Sequence, residues 1–246
     1  MRLKCIGCEA LARLLYKCAA ESGHLVDIKL LKIGLHDTPE KLRTQLQQEI
    51  DSTVKNDYDT ILLAYGLCGQ AIAGIMAGEL PMVIPRAHDC ITLFLGSRER
   101  YQAEMNKYPG TYWYSFDYME RKANRDIIAS IGSEVDANIR EIYQHYIEKY
   151  GIENADYLMA ATGVWQKNYQ RAVYLDLGIG DGDKVRSEAQ TEAENRGWQF
   201  EDLKGDIRII KQLLNGDWDS DFLIIEPGQK IVMSYDQDII TSLKPE

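Results

Sequence analysis

TILLAYGLCGQ, residues 60–70, poses the problem from which this sequence opens out. Tyr58–Tyr65, around the uncharged run Thr60–Ala64, reads as a strand covered on both faces. Directly after it, Gly66 and Gly69 bracket Leu67 and Cys68. A cysteine is thus held in a tight, glycine-bounded turn where a buried strand ends. Downstream, Met82–Pro85 is a second short apolar run, and RAHDC (86–90) sets Arg86, His88, Asp89 and Cys90 beyond its end. Upstream, Leu3–Gly7 and Val26–Ile33 read as strands. EALARLLYKCAAE (9–21) and EKLRTQLQQEIDSTV (40–54) read as helices, the second with Asp37 or Thr38 as cap, Pro39 in its first turn, and Leu42, Leu46, Ile50 and Val54 at four-residue spacing. Strands alternating with helices predict parallel βα units.

The pattern returns late in the chain. AVYLDL (172–177) is followed by the turn GIGDGDK, the helical VRSEAQTEAENRG (185–197), Trp198–Leu203, the helical IRIIKQLLNG (207–216) and Phe222–Ile225. Asp219-Ser220-Asp221 before FLIIEPGQ parallels Asp57-Tyr58-Asp59 before ILLAYGLCGQ. We therefore expect an α/β fold of mainly parallel βα units in two pseudo-repeated, Rossmann-like lobes, with one doubly wound sheet as the alternative. The lobes would be 1–100 and 171–246. Between them, 101–170 reads as an insertion, aromatic and polar over 101–125 and helical over 126–150.

Composition narrows the function. With 246 residues, 45% hydrophobic and 27% charged, the chain is long enough to bury a substantial core without disulfides. A formal net charge of −10 speaks against nucleic acid as a partner, because phosphate binding shows as a basic excess. No run approaches 18 apolar residues, and MRLKCIGCEALARLL lacks the pattern of a secretory signal, so we expect a cytoplasmic protein with no membrane partner. The five cysteines all fall within the first 90 residues. An odd number in a reducing compartment favours thiolate or metal chemistry over a disulfide framework.

Ligands in open α/β sheets bind beyond the carboxyl ends of the strands. Cys8 follows the first expected strand, His36 the second, Cys68 the third and Cys90 the fourth. Three thiolates can share one metal. With His36 or His88 as a fourth ligand the set is a closed Cys3His zinc site; without one, a position stays open, as it does when three cysteines hold a [4Fe–4S] cluster. Helix N-termini near Cys8 and after Cys68 are expected to lower the thiol pKa values. His88 and Asp89 are the candidate acid–base pair. Arg86 and Arg98 are candidates for a carboxylate or phosphate, with Gly66 and Gly69 giving a cofactor close access. Ion pairing of the arginines and simple packing of the cysteines compete with these readings. Cys5, opposite in direction to Ile6, and Cys18, mid-helix, read as core.

The blocks YGLCGQ, PRAHDCITLFLGSRERY and YPGTYWYS, together with IGCEAL and LHDTP, resemble a family known as domain of unknown function 1638 over roughly residues 3–115. Gln70 departs from the small or amide residue expected there. The resemblance carries Cys8, His36, Cys68, His88, Asp89 and Cys90 onto the family pattern. It implies a setting in anaerobes and methanogens, beside corrinoid-dependent methyl transfer, with a corrinoid protein or methyltransferase as partner. The expectation is a metal-binding protein of one-carbon metabolism, holding an iron–sulfur cluster or zinc through Cys8, Cys68 and Cys90. Whether it is an enzyme stays open. The alternatives are a non-catalytic accessory protein for a small molecule or anion, and a cysteine-dependent enzyme without metal.

Overall fold

A computed structural model describes residues 1–68, 70–121 and 169–244. The helices expected over 126–150 lie outside the described residues. The chain forms two compact units: Met1–Gln102, Leu177–Ile179 and Lys204–Glu246 in the first, and Ala103–Asp176 with Gly180–Leu203 in the second.

The first unit is built on parallel strands, two of the central ones wholly buried and one edge strand alternately exposed. β1 (Arg2–Cys8) pairs with β2 (Leu25–Leu31) on one side and β3 (Thr60–Ala64) on the other, and β3 pairs with β4 (Met82–Pro85). All five residues of β3 are buried. Side chains alternate across the sheet. On one face Ile6, Ile61, Leu63, Met82 and Ile84 share a core cluster with Leu42, Leu46 and Ile50 of α2 (Pro39–Asp51). Val54, expected to extend that stripe, lies past the end of the helix and is exposed. On the other face sits α1 (Ala12–Glu21). A Cβ at Gly7 would stand 2.6 Å from Leu15 Cδ1, so the absent side chain is what lets α1 approach. The helix expected from Glu9 begins as a 3-10 turn, Glu9–Leu11, while Glu9 Oε2 accepts a hydrogen bond from the Ile33 amide at 3.2 Å. Beyond β4 lie α3 (Cys90–Leu95) and α4 (Arg98–Lys107).

The second unit has a three-stranded sheet in the order β5 (Thr111–Ser115), β6 (Arg171–Asp176), β7 (Gln199–Lys204), with β5 and β6 parallel. β5, TYWYS, was not expected as a strand. Its Tyr112 and Tyr114 fill a core with Tyr174, Ala189 and Ala193, the last two from the helix Asp183–Arg196. Arg171, 3% exposed, is held between Glu104 at 2.7 Å and Glu201 at 2.6 Å, its guanidinium 4.1 Å from the Tyr108 ring centroid.

The chain then returns to the first unit. The helix Arg208–Asn215 buries Ile209, Ile210, Leu213 and Leu214. β8 (Phe222–Ile225) joins the edge of the first sheet antiparallel to β4, giving the order β2-β1-β3-β4-β8. An unexpected hairpin of β9 (Lys230–Met233) and β10 (Ile240–Leu243) follows. The α/β class and the mainly parallel sheet are as expected. The strands of the first half share one sheet, whereas β6 and β7 lie in one sheet and β8 in another. Residues 171–246 accordingly divide between the two units. No described helix is long and apolar enough to cross a membrane.

Leu46 lies fully buried where α2 meets the sheet. Leu46→Ala is expected to cost about 3 kcal/mol, seen in urea unfolding as a lower midpoint with an unchanged slope.

Candidate functional site

The parallel register decides which residues meet at the carboxyl edge of the first sheet. Cys8 stands level with Leu31 of β2, and Gly7 with Ala64 of β3. The residues that follow β3 and β4 continue side by side. The Leu67 amide donates to Ala87 O at 2.8 Å and the Cys68 amide to His88 O at 2.9 Å. Gly66 permits this approach: a Cβ there would lie 2.7 Å from both the amide nitrogen and the Cα of Asp89. Gly66 was expected to face a cofactor; its missing side chain instead admits the Asp89 backbone. Gly69 lies outside the described residues.

Cys68 adopts a left-handed backbone, φ 46°, and Gln70 another, φ 75°. Such a conformation costs an L-residue about 1–2 kcal/mol and concentrates at functional turns. Both backbone groups of Cys68 are tied, the amide to His88 and the carbonyl to the amide of Ala71 at 3.2 Å. The side chain is thereby fixed in direction and packs, with Cys8, against the core cluster that contains Tyr65.

Cys90 opens α3, and Asp89 caps it. Asp89 Oδ1 accepts from the amides of Ile91 at 2.9 Å and Thr92 at 3.3 Å, and Oδ2 accepts from the Tyr101 hydroxyl at 3.1 Å. Burial holds the Asp89 carboxyl above the usual carboxylate range despite these donors. The acid–base role expected of Asp89 thus falls on a carboxylate whose three hydrogen bonds position α3 and Cys90. His88 is exposed and stacks on Tyr101, ring centroids 5.4 Å apart.

Cys8, Cys68 and Cys90 enter one another's electrostatic field. Burial first, then Asp89, then Cys8 push the Cys68 thiol up to about 12. Cys90 rises well above its ordinary value through burial, then Asp89, Cys68 and Cys8. At Cys68 the expected lowering by a helix N-terminus does not occur, and the residues after it form turns; Cys8 is followed by a 3-10 turn. His36 occupies the 3-10 turn Leu35–Asp37 after β2, half-buried, and is not among the groups acting on Cys68 or Cys90. Among the described residues, no three His, Cys, Asp or Glu side chains stand at metal-ligating separation. Cys5 and Cys18 are enclosed in the core, and burial lifts their thiols to about 12 and about 11.

The arginines expected to bind an anion are engaged within the protein. Arg86 donates to Asp238 O at 3.0 Å and to Ile240 O. Arg98 donates to Asp221 Oδ1 at 3.1 Å and to Gln237 O at 2.8 Å, while Arg208 reaches Asp221 Oδ2 at 2.8 Å. These forks fasten the C-terminal segment to the end of β4. One polar group at the site was missed in the sequence. Tyr65 is 3% exposed, and its buried hydroxyl has no hydrogen-bond partner among the described residues. Its signal was a polar-tipped aromatic directly after the apolar run Ile61–Ala64.

A family model described as "Protein of unknown function (DUF1638)" matches residues 30–214, three quarters of the chain. The match reaches well past residue 115, where the recognisable blocks end, and includes Cys68 and Cys90 but not Cys8. No curated protein and no solved structure matches the chain.

Removing the cap distinguishes positioning from acid–base chemistry. Asp89→Ala is expected to lower stability by about 1 kcal/mol, and Asp89→Asn, which keeps an accepting oxygen, by much less. Thermal melting of both variants beside the wild type checks this order.

Proposed function

The chain belongs to the DUF1638 family, and we propose that it holds a thiophilic metal centre, an iron–sulfur cluster or zinc, through Cys8, Cys68 and Cys90. The observation that carries this reading is the entry of three thiols, from three separate strand ends, into one electrostatic neighbourhood. The residues fit such a group in charge. Each thiol makes its neighbour harder to ionise, so the set stays protonated until a cation replaces the protons. They fit in softness as well, since thiolate sulfur selects zinc and iron over hard cations. Ligation requires the three side chains to draw closer than they stand.

When bound, zinc supplies a Lewis acid, and a cluster supplies electron transfer or an iron free to hold a ligand. The protein's own contributions are separate. The strained turn aims Cys68, the Asp89 cap aims Cys90, and the end of β1 supplies Cys8. Three cysteines leave one coordination position to a small molecule. We place this activity in anaerobic one-carbon metabolism beside corrinoid-dependent methyl transfer, the setting that the family resemblance implies. The metal reading is favoured over metal-free nucleophilic catalysis by the direction of the thiol shifts. A catalytic thiolate needs a lowered pKa, and burial raises that of Cys68 to about 12.

Protein purified without oxygen is expected to carry zinc, or iron with sulfide and a brown colour, in stoichiometric amount by elemental analysis. Cys68→Ser is expected to lower metal affinity by about tenfold or more, as even the loss of a ligand's support does. Metal-free wild type that cannot be reconstituted would sink the proposal.

A further inference from the structure

Leu42, Leu46 and Ile50 turn one stripe of α2 into the core. Arg43, Gln47 and Asp51, one position further on at the same four-residue spacing, form the adjoining stripe. This second stripe meets the segment Gly74–Gly78. The Met76 amide donates to Gln47 Oε1 at 2.9 Å, and Gln47 Nε2 donates to Met76 O at 3.1 Å and to Asp51 Oδ1 at 2.8 Å. Helix and segment are thus pinned together at their middle. Along this seam runs a groove of about 610 Å³, lined among the described residues by Arg43, Gln47, Asp51, Gly74, Met76 and Gly78. Its volume suits a small molecule. At one end Arg43 is half-buried, and its Nη2 donates to Gln70 O at 3.0 Å. Its Nε is buried and has no hydrogen-bond partner among the described residues.

We propose that this groove binds a small organic monocarboxylate, its carboxylate on the Arg43 guanidinium and its apolar chain along Met76. The site uses none of the cysteines and does not rest on the metal reading. A guanidinium nitrogen kept from water without an acceptor is costly, and the charge it carries is permanent. A carboxylate relieves that cost with a charge-assisted hydrogen bond, stronger than any a neutral carbonyl makes, and its plane matches the flat guanidinium. The rest of the lining sets the ligand's character. Met76, 40% exposed, and Ala77 give apolar surface beyond the arginine. The one other charged side chain lining the groove among the described residues is Asp51, about two helical turns from Arg43. One cation with a carboxylate at the far end suits a single negative charge and opposes a phosphate dianion or a dicarboxylate that reaches Asp51. A short monocarboxylate stops before it.

Hexanoate and hexanamide test this, being nearly equal in shape and different in charge. Each is titrated into the full chain and followed by ligand-detected NMR. The wild type is expected to bind hexanoate about tenfold more tightly than hexanamide, the difference between a charge-assisted and a neutral hydrogen bond. Arg43→Met is expected to abolish that preference. Because Arg43 also holds the Gln70 carbonyl, the reading is the ratio of the two affinities within the variant, which a loss of stability does not move. Gly78→Leu tests the groove itself. A Cβ at Gly78 meets no atom within 4 Å, so the larger side chain is expected to melt as the wild type does, to occupy the groove and to weaken hexanoate about tenfold. Wild type that binds neither probe, or both equally, overturns the inference. So does Arg43→Met that keeps the preference for hexanoate, or folded Gly78→Leu that binds hexanoate as tightly as the wild type. The wild-type ratio and Gly78→Leu decide the matter even where Arg43→Met fails to fold.

Discussion

Two backbone hydrogen bonds, Leu67 to Ala87 and Cys68 to His88, extend the pairing of β3 and β4 past the strands themselves. Much else at the site depends on them. They bring the turn carrying Cys68 against the segment carrying Asp89 and Cys90, and they fit only because Gly66 leaves space for the Asp89 backbone. They also offset the left-handed conformation of Cys68, which an unsupported turn would relax. A methyl group at residue 66 would push the two segments apart and release all three constraints.

Around this pairing the polar groups fall into two kinds. Asp89, Tyr101, Arg86, Arg98, Arg208 and Asp221 are saturated by one another and by backbone groups, and they form the frame. The Tyr65 hydroxyl has no hydrogen-bond partner among the described residues, and at Cys68 and Cys90 burial and the neighbouring groups raise the thiol pKa values.

The sequence revealed those features that depend on local pattern. β4 and β8 were placed to the residue because each is a short apolar run between polar or turn-forming neighbours. Cys5 and Cys18 were read as core from strand alternation and helix position, and both are buried. β5 was hidden because TYWYS lacks an aliphatic alternation and sits among polar and aromatic residues. The return of β8 to the first sheet could not be read, since an apolar run states that it will be covered but not by which partner. The engagement of Arg86 and Arg98 was concealed for the same reason: their acceptors lie more than a hundred residues away in the chain. The Tyr65 hydroxyl could be suspected from type and position, yet its lack of a partner is a property of the packed interior.

The antiparallel edge strand β8 has a bearing on biosynthesis. β4 emerges from the ribosome long before β8 exists, so its outer backbone groups wait for a partner while the second unit is being made. During that interval the nascent first unit presents an open edge that other strands can pair with. Arg86 and Arg98 likewise await Asp221 and the C-terminal carbonyls. The loops after β3 and β4 therefore reach their final tension late in synthesis, and a truncated product ending before residue 222 would leave an unfinished, association-prone edge at β4.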